Sequence, residues 1–535
     1  MTASATVEQT RPEYFDVSSR VAEHARLRPN SEALVFEERR LDWQTLNGRI
    51  NRLANLLIER GVRSGDRVAL LASHSAEYVE IFLGTLRAGG CIVPLSPMAS
   101  ADQLAEMIAD SGAKVLFLSE GLQDLAACFP ASLAPLASKN AVAIDFVAPG
   151  WAAYEQLMAG TSDQSPGVVI TPDMDFNIIY SSGTTGVPKG IVHDHGTRTM
   201  TLDQVSSLGY GPGCRTLIAT PLYSNLTIAA FLPTVALGGT MTLMRKFDTT
   251  AYLDIAERER ITHAMLVPVQ YQRLLADPSF AKRDLSSFQI KFCTSAPLHS
   301  SLKLAIVERW PGVLLEIYGM TEGGGVCVLN ATANRDKLNT VGQPAFGAEF
   351  KILDEAGREL PQGEIGEIVS RGKVMMKGYH NRQSATDEFI WQDSAGSRFF
   401  KTGDMGYFDQ DGFLHLSDRK KDMIISGGFN IYATDLENVL QTHPDVVEGA
   451  VIAAPSEEWG ETPLAFVVLR PGAQSKPEEI RKWTNERLGK AQRISEVVLM
   501  ESLPRSPVGK VLKRELRRPY LERAMAVLER IQSKT

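Results

Sequence analysis

The chain has 535 residues, which is too many for one hydrophobic core, so we expect two or more domains. Hydrophobic residues make up 44% of the chain and charged residues 22%, proportions that are ordinary for a globular protein. The formal net charge of −7, with both signs interspersed, argues against a nucleic-acid-binding surface, because such surfaces are usually basic.

The cysteines and the N-terminal sequence predict a protein of a reducing compartment. The five cysteines are scattered and never form a Cys-x-x-Cys pair, so we expect free thiols and neither disulfides nor a zinc site. The N-terminus has no basic segment followed by an apolar core, and no apolar run approaches the ~18 residues of a membrane span. We therefore expect a cytoplasmic protein without a signal peptide or membrane span.

Apolar runs alternate with helical patterns in the first half of the chain. Residues 66–73, DRVALLAS, predict a buried strand, and residues 75–90 predict a helix that ends on glycines. Residues 103–120 and 250–268 each place an amphipathic helix before a short apolar strand. This alternation predicts α/β layers built on parallel sheet.

The pattern changes after about residue 340. Residues 350–372 contain short alternating runs broken by Gly and Pro, which is typical of hairpins. From about residue 422 a smaller unit follows, with helix, strand and helix patterns and a partly basic helical tail. The charged run SDRKKD, residues 417–422, marks the boundary, although charge alone indicates only a solvated turn.

The stretch YSSGTTGVPKG, residues 180–190, has the composition of an anion-binding loop. Its glycines let backbone N–H groups approach phosphate oxygens, its hydroxyls add donors, and its lysine neutralises charge. It matches neither GxxxxGK[ST] nor GxGxxG, so neither a Walker P-loop nor a dinucleotide fingerprint is supported. By composition alone, a flexible Ser/Gly surface loop is an equal alternative.

Four further motifs follow this loop along the chain. They are EIYGMTEG (316–323), FKTGD (400–404), DRKKDMIISGGFNIY (418–432) and LPRSPVGKVLKREL (503–516). Together with the loop, these motifs resemble the adenylate-forming superfamily, which contains acyl-CoA synthetases, adenylation domains and luciferases. The resemblance is to the acyl-CoA ligase branch and covers roughly residues 20 to 520.

The resemblance implies both a fold and a reaction. The fold would be α/β, with a large N-terminal domain of layered sheets and helices containing a β-rich subdomain, and a small mobile α+β C-terminal domain. Residues 1–420 would bind ATP and the acyl group, and residues 421–535 would carry the catalytic lysine. A carboxylate would attack the α-phosphorus of ATP to give acyl-AMP and pyrophosphate, and a thiol would then displace AMP.

The resemblance also implies which residues bind the nucleotide. The loop residues would hold the β- and γ-phosphates, and they are Ser181, Ser182, Gly183, Thr184, Thr185, Gly186 and Lys189. The walls of the adenine site and the α-phosphate contacts would come from Ser295, Ala296, Pro297, Tyr318, Gly319, Met320 and Thr321. Asp404 would accept hydrogen bonds from the ribose hydroxyls, because a carboxylate offers two acceptor oxygens, and Arg419 would support the ribose or a phosphate.

The remaining implied roles concern the metal, the lysine and the thiol. Glu322 would be the Mg²⁺ ligand, Lys421 the hinge, and Lys510 the catalytic residue that neutralises developing charge. Gly427 and Gly428 would line the tunnel for the coenzyme A chain. Trp459 would lie near the thiol, with an ordinary half-buried tryptophan as an equal alternative.

The acyl pocket is predicted to include Tyr223, Ser224, Asn225, Gly323 and Gly324, where the small-residue run would leave room. Many relatives carry a histidine where this chain has Ser224, which puts histidine gating of the second step in doubt. No acidic residue lies near Tyr223, which disfavours an amino acid substrate.

We expect a small-molecule substrate that is a hydrophobic monocarboxylic acid. A medium-chain fatty acid is the first choice, with an aryl or cyclic acid close behind. ATP, Mg²⁺ and coenzyme A are the expected cofactors, and a carrier protein acting in trans is the alternative acceptor. The expected assembly is a monomer or a homodimer.

The pair His193 and His195, in VHDH, suggests a metal site. No cysteine or carboxylate set completes such a site at a recognisable spacing, so a solvated or hydrogen-bonded pair is the preferred interpretation.

Overall fold

The computed structural model describes residues 14–123, 140–181, 188–200, 202–419, 422–426, 429–456, 459–489, 492–506 and 509–532. The strands in chain order are β1 (Glu32–Phe36), β2 (Arg39–Asp42), β3 (Arg67–Leu71), β4 (Cys91–Pro94), β5 (Val115–Leu118), β6 (Ala141–Ala143), β7 (Ala152–Ala153), β8 (Asp175–Ser181), β9 (Lys189–Asp194), β10 (Arg215–Ile218), β11 (Thr240–Leu243), β12 (His263–Leu266), β13 (Ile290–Cys293), β14 (Val313–Tyr318), β15 (Val326–Asn330), β16 (Gln343–Ala345), β17 (Glu349–Leu353), β18 (Gly366–Arg371), β19 (Gly378–Tyr379), β20 (Ile390–Gln392), β21 (Arg398–Phe408), β22 (Leu414–Arg419), β23 (Ile424–Ser426), β24 (Phe429–Ile431), β25 (Val446–Ser456), β26 (Gly460–Leu469) and β27 (Glu496–Leu499).

The helices in chain order are α1 (Val17–Leu27), α2 (Trp43–Glu59), α3 (Ala76–Arg87), α4 (Ala101–Ser111), α5 (Tyr154–Ala159), α6 (His195–Thr199), α7 (Leu202–Ser206), α8 (Asn225–Leu237), α9 (Thr249–Arg258), α10 (Pro268–Ala276), α11 (Ser300–Arg309), α12 (Gln383–Glu388), α13 (Ala433–Gln441), α14 (Pro477–Asn485) and α15 (Lys513–Gln532). In the part of the chain that the structure describes, no helix combines the length and apolar character needed to cross a bilayer.

Two large sheets form the first part of the chain. One has eight strands in the order β19-β9-β8-β4-β3-β5-β6-β7, and the other has nine in the order β16-β15-β14-β13-β12-β10-β11-β1-β2. Their central strands are parallel and completely buried, as apolar runs covered on both faces require. The prediction of parallel sheet is therefore confirmed at the centre. It is wrong at the edges, where β9, β15, β16 and β2 fold back antiparallel as hairpins.

A helical layer lies between the two large sheets. Helix α2 contacts β1 and β2, while α3 contacts strands of both sheets. Side chains from these helices and from α8 share one core, in which the rings of Phe82 and Phe231 meet edge to face at 5.3 Å. Helix α4 shows why a predicted helix forms where it does. Ser100 and Gln103 make a capping box at its start, and Gly112 ends it in the left-handed conformation.

The β-rich subdomain is a third sheet made of β17, β18, β20, β21 and β22. Strands β17 and β18 pair antiparallel with Phe350 opposite Ser370, which confirms the hairpin predicted from the alternating pattern. Strand β21 pairs with β22 so that Asp404 faces Arg419 across the ladder. The third sheet therefore carries the FKTGD motif on a central strand.

The C-terminal unit has its own sheet and its own core. Strands β23 to β27 form a five-stranded sheet in which β26 is central and pairs with β23, β25 and β27, while β25 lies at the edge. Helices α13 and α14 cover a core that includes Leu436, Val451 and Ile480. This unit is mixed α and β, as expected, and it is smaller than the part that precedes it.

The described cysteines are free thiols in the interior, as predicted. Cys91, Cys214, Cys293 and Cys327 are all buried and unpaired with one another. Cys128 lies outside the described residues.

Candidate active site

The carboxyl ends of four neighbouring strands bring the predicted site segments together. Strands β10, β12, β13 and β14 run parallel, so the segments that follow them meet at one edge of the sheet. The segment after β10 contains Tyr223 to Asn225, and the segment after β13 contains Ser295 to Pro297. The segment after β14 contains Thr321 and Glu322. This edge is the natural place for a ligand in such a sheet.

A hydrogen bond joins the nine-stranded sheet to the β-rich subdomain at this edge. The hydroxyl of Tyr318 donates to Oδ2 of Asp404 at 2.8 Å. Burial, and then the nearby Asp404 carboxylate, raise the pKa of Tyr318 well above its usual range, so the phenol stays a donor. The carboxylate predicted to bind ribose is thereby held beside the tyrosine predicted to lie at the adenine. Arg419 faces Asp404 in the ladder, but its side chain lies outside what the structure describes.

Ser295 has an unusual backbone conformation. Its φ of +77° lies in the left-handed region, which costs energy for a residue with a side chain. The preceding Thr294 donates from Oγ1 to the carbonyl of Ile317 at 2.7 Å, which ties this turn to β14. Such strain is concentrated at functional turns, and here it falls in the predicted adenine wall, Ser295 to Pro297.

Glu322 is oriented by a residue that the sequence did not single out. The hydroxyl of Tyr379 donates to Oε1 of Glu322 at 3.0 Å. The backbone carbonyl of Glu322 accepts from the N–H of Met376 at 2.9 Å. Burial and the Glu322 charge both raise the pKa of Tyr379. Nothing in the local sequence KGYHNR marks this tyrosine as a site residue.

Tyr379 also reaches the end of the phosphate loop. The Nζ atom of Lys189 lies 5.2 Å from the centre of the Tyr379 ring and 5.1 Å from that of Phe389. Lys189 and Glu322 are thus both in contact with one aromatic side chain. The lysine predicted to hold phosphates and the carboxylate predicted to bind Mg²⁺ therefore lie against the same tyrosine.

The phosphate loop itself connects the paired strands β8 and β9. Ser181 at the end of β8 faces Lys189 at the start of β9. The predicted phosphate ligands between them, Ser182, Gly183, Thr184, Thr185 and Gly186, lie outside the described residues. The hydroxyl of Tyr180 donates to Asp110 at 2.7 Å and anchors the strand that leads into the loop.

The glycines after Glu322 pack against the chain itself. A Cβ on Gly323 would lie 1.8 Å from the Val374 carbonyl oxygen, and one on Gly324 would lie 2.7 Å from the Ser370 hydroxyl. Both residues have φ near +85°, which favours glycine. The prediction that these glycines leave room for the acyl group is therefore wrong, because protein atoms already fill the space beside them. Contact of the acyl group with Gly323 and Gly324 stays a prediction for their backbone atoms alone.

The other predicted acyl residues lie at the start of α8. Ser224 is buried, and Asn225 is the first residue of the helix. Tyr223 is half-buried; burial raises the pKa of its hydroxyl, which is hydrogen-bonded to Ser96. The N–H of Leu222 donates to Nε2 of the buried His74 at 2.9 Å. The helix that follows is almost wholly apolar, and its apolar side chains are buried in the protein core.

Hydrogen bonds join the described residues on either side of positions 507 and 508, in the loop that carries Lys510. Arg505 donates from Nη1 to the carbonyl of Gly509 at 2.6 Å and from Nη2 to Glu448 on β25 at 2.7 Å. The N–H of Ser506 donates to the Lys510 carbonyl at 2.7 Å, and the N–H of Lys510 donates to the Ser506 hydroxyl at 3.1 Å. Arg505 is thus a second site residue that the sequence reasoning missed, although the motif LPRSPVGK contains it.

This loop rests on the same edge of the nine-stranded sheet as the nucleotide residues. A Cβ on Gly509 would lie 3.4 Å from Cγ2 of Val267 and 3.5 Å from Cγ1 of Val269, which is contact distance. Val267 directly follows β12. A second contact joins the two parts of the chain, between Nε2 of His299 and the side-chain amide of Gln441 at 2.7 Å.

Of the predicted thiol residues, the structure describes only Trp459. Gly427 and Gly428, like the hinge residue Lys421, lie outside the described residues. They separate the paired strands β23 and β24, and Ser426 of β23 pairs with Gly460, the neighbour of Trp459. Trp459 is 52% exposed, which is compatible both with a place near the thiol and with an ordinary half-buried tryptophan.

The two histidines of VHDH have different surroundings. His193 accepts a hydrogen bond at Nδ1 from Arg198 at 3.2 Å, which confirms the preferred interpretation for this residue. His195 is buried against the Phe176 ring and neither of its ring nitrogens has a described partner, so the interpretation as a solvated or hydrogen-bonded side chain is wrong for His195. Within the described ranges, no three His, Cys, Asp or Glu side chains are grouped to hold a metal ion.

The residues present suit ATP and Mg²⁺. Glu322 offers carboxylate oxygens of the kind that Mg²⁺ prefers, beside the cation Lys189. Mg²⁺ commonly takes only one or two protein oxygens and completes its shell with phosphates and water. A single described carboxylate is therefore compatible with a magnesium–triphosphate ligand.

Comparison with known proteins gives a consistent result. The family model for an AMP-binding enzyme matches residues 21–380, and that for its C-terminal domain matches residues 435–510. A feruloyl-CoA synthase from Amycolatopsis is 34% identical over 93% of this chain and 97% of its own length. The fatty acid–[acyl-carrier-protein] ligase ScoC from Streptomyces coeruleorubidus is 32% identical over 92% and 94%. The ATP-bound crystal structure of MatB from Rhodopseudomonas palustris aligns with a TM-score of 0.83 and 30% identity, covering 95% of this chain and 99% of that one.

Proposed function

The chain belongs to the AMP-binding enzyme family, in the acyl-CoA ligase branch of the adenylate-forming superfamily, and from this premise we propose its reaction. It is an acid–thiol ligase that uses ATP. We propose that it activates a hydrophobic carboxylic acid as acyl-AMP, releases pyrophosphate, and then transfers the acyl group to coenzyme A with release of AMP.

The position of the Lys510 loop carries this proposal. The loop packs through Gly509 onto Val267 and Val269, at the edge where Glu322 and the pair Tyr318–Asp404 also lie. The backbone next to Lys510 therefore lies at the sheet edge where we expect the ligands. That arrangement suits neutralisation of charge in the first half-reaction.

The proposed first step needs alignment more than acid or base chemistry. A carboxylate oxygen forms a bond to the α-phosphorus, and the bond to pyrophosphate breaks, so no proton is transferred. Asp404 would hold the ribose, Lys189 the leaving phosphates, and Lys510 the oxygens that meet at the α-phosphorus. Mg²⁺ held by Glu322 would supply further neutralisation of the triphosphate.

The proposed second step uses a different face of the C-terminal unit. The thiol sulfur bonds to the acyl carbonyl carbon, the bond to the AMP oxygen breaks, and the thiol proton leaves to solvent. A rotation about Lys421 would replace the Lys510 loop by the strands that flank Gly427 and Gly428. With Ser224 in place of a histidine, no imidazole at that position takes part.

The composition around the predicted acyl residues supports the choice of acid. Helix α8 is almost wholly apolar, and no acidic residue lies between Thr220 and Phe231 to hold an ammonium group. A medium-chain fatty acid and an aryl or cyclic acid both fit these observations. The feruloyl-CoA synthase supports an aryl acid, and the fatty acid ligase ScoC supports an aliphatic one.

A second candidate differs only in the acceptor. The ScoC relative is a ligase for an acyl carrier protein, so transfer to a separate carrier protein is the alternative to coenzyme A. Both candidates share the first half-reaction.

The decisive experiment follows AMP and pyrophosphate release over a panel of straight-chain, branched, cyclic and aromatic acids. We expect one class of acid to be preferred and AMP release to require coenzyme A. The Lys510→Ala variant should lose acyl-AMP formation yet still convert synthetic acyl-AMP to thioester. Equal loss of both half-reactions would contradict the role of Lys510. Acyl-AMP formation that does not respond to coenzyme A would favour the carrier protein.

A further inference from the structure

Arg198 lies between the predicted acyl-binding residue Asn225 and the segment that contains Thr321. Arg198 donates from Nη1 to Oδ1 of Asn225 at 2.8 Å, and Asn225 begins the helix that forms the acyl wall. Its Nη2 donates to Nδ1 of His193, and His193 is hydrogen-bonded to the backbone of Thr321. Arg198 is therefore one residue away from both sides of the space where the acid would lie.

Every described partner of Arg198 is uncharged. Its Nε donates to Oδ1 of Asn177 at 2.8 Å, and the other two partners are the side chains of Asn225 and His193. In the described ranges no carboxylate forms an ion pair with this guanidinium. Burial lowers the pKa of Arg198 to about 9. A buried cation is normally paired, because desolvation without a counter-ion is costly.

The guanidinium keeps both donors and surface for a further partner. An arginine side chain has five N–H groups, and the described contacts use one each on Nε, Nη1 and Nη2. One hydrogen on each terminal nitrogen is left, the pair that an oxygen group can accept in a two-pronged contact. Arg198 is half-buried by three elements, so part of its side chain stays open to a ligand.

We propose that Arg198 is a specificity-determining residue that binds an oxygen group of the acid substrate remote from its reacting carboxylate. This inference rests on the proposed function and refines it. The preferred acid is not a plain hydrocarbon acid; it carries a second carboxylate, or a hydroxyl or carbonyl oxygen, on an otherwise apolar body. Asn225 and His193 orient the guanidinium.

Matched pairs of acids test this proposal. Heptanoic and heptanedioic acids differ by a distal carboxylate, and cinnamic and 4-hydroxycinnamic acids differ by a neutral hydroxyl. We expect kcat/KM for pyrophosphate release by the wild-type chain to be at least ~10-fold higher for the oxygen-bearing member of one pair, because a site built for such a group rejects the analogue that lacks it. The pair that shows the effect tells whether the oxygen is charged or neutral.

Three variants separate a binding role from a structural one. Arg198→Met should reduce the preference within the pair to about threefold or less, and Arg198→Lys should retain part of it for the carboxylate. Asn225→Asp places a carboxylate against the guanidinium, so it should abolish the preference for heptanedioic acid in particular. The ratio within each pair, measured on the same variant, is independent of any general loss of activity.

A second readout does not depend on turnover. The rise in melting temperature caused by each acid in the presence of AMP should be larger for the oxygen-bearing member, and this difference should disappear in Arg198→Met. Equal shifts and equal kcat/KM within both pairs for the wild-type chain would overturn the proposal, as would a preference that survives in Arg198→Met. If no acid supports pyrophosphate release, the proposed function fails, and the melting shifts alone still decide the role of Arg198. If Arg198→Met does not fold, Asn225→Asp and Arg198→Lys provide the same comparison.

Discussion

The contact between Arg505 and the carbonyl of Gly509 predicts a half-reaction-specific defect. Replacing Arg505 by methionine removes the donor at 2.6 Å from that carbonyl and the ion pair with Glu448, while leaving the stem of the side chain in place. The residue after this carbonyl is Lys510. We therefore expect the loop to lose its fixed shape and the lysine to lose its position at the sheet edge.

The expected size follows from the contacts. A hydrogen bond from a charged donor contributes about 1.5–3 kcal/mol. The ion pair adds little, because Arg505 and Glu448 are 27% and 20% exposed and solvent screens them. We take the loss of transition-state stabilisation as about 1.5–2 kcal/mol. Because each 1.36 kcal/mol corresponds to a factor of ten in rate, acyl-AMP formation should slow by roughly 10- to 30-fold.

The assay measures the two half-reactions separately. Pyrophosphate release reports acyl-AMP formation, and thioester formation from synthetic acyl-AMP reports the second step. Arg505→Met should slow the first and change the second by less than about threefold, and Arg505→Lys should restore part of the first. Arg517→Met is the matched control, because Arg517 also pairs with a glutamate, Glu461, in the same unit at similar exposure, 29% and 28%.

Two results would refute this reasoning. One is an equal loss in both half-reactions of Arg505→Met, which would indicate general damage to the C-terminal unit. The other is a loss of acyl-AMP formation in Arg517→Met as large as that in Arg505→Met. Either would show that the hydrogen bond to Gly509 does not position the lysine.

Three further predictions concern the large part of the chain. Gly323→Ala should lower the free energy of unfolding in urea by at least ~3 kcal/mol more than Gly347→Ala, because both glycines have positive φ but only Gly323 has a carbonyl in the way. Tyr379→Phe removes a donor to Glu322, worth ~1 kcal/mol, so the Mg²⁺ concentration for half-maximal activity should rise about fivefold. Burial lowers the pKa of His74 to about 4. The contribution of His74 to the free energy of unfolding should therefore fall by up to ~1.4 kcal/mol per pH unit as the pH drops from about 6.5 to 4. The His74→Gln variant should lack this pH dependence.

Each of these has an outcome that would contradict it. Equal unfolding free energies for the two alanine variants would show that the loop after Glu322 relaxes without cost. An unchanged Mg²⁺ requirement in Tyr379→Phe would separate Tyr379 from the metal site. A wild-type chain whose stability between pH 6.5 and 4 matches that of His74→Gln would mean that His74 takes up a proton in the folded state as readily as in the unfolded one.

Sequence periodicity was sufficient to predict helices and strands but not the direction of strand pairing at the edges of the sheets. The buried strand at Arg67–Leu71 and the helix at Ala76–Arg87 follow from apolar spacing, which is a local property. The antiparallel return of β15 and β16 follows from which strand is left unpaired at the end of the sheet. No local pattern contains that information.

The site divides in the same way. The phosphate loop and Glu322 lie in short motifs, so the sequence alone predicts them. Tyr379 reaches Glu322 across 57 residues of sequence, and Arg198 reaches Asn225 across 27. Such pairs depend on the packing of β19 beside β9 and of α6 beside α8, which only the folded chain defines. The prediction of room beside the glycines after Glu322 was wrong for a related reason. A small residue indicates that other atoms approach closely, but the sequence does not tell whether they belong to a substrate or to the protein.

The contact between His299 and Gln441 has a consequence for the response of the enzyme to ionic strength. It joins two uncharged side chains, since burial lowers the pKa of His299 and keeps its ring neutral and able to accept from the amide. Asn438, a second side chain of the C-terminal unit that is hydrogen-bonded to His299, is also uncharged, and the contact at Gly509 is apolar. Salt screens charged contacts and leaves such contacts almost unaffected. Added salt should therefore weaken the binding of ATP while leaving the docking of the C-terminal unit on the large one nearly unchanged.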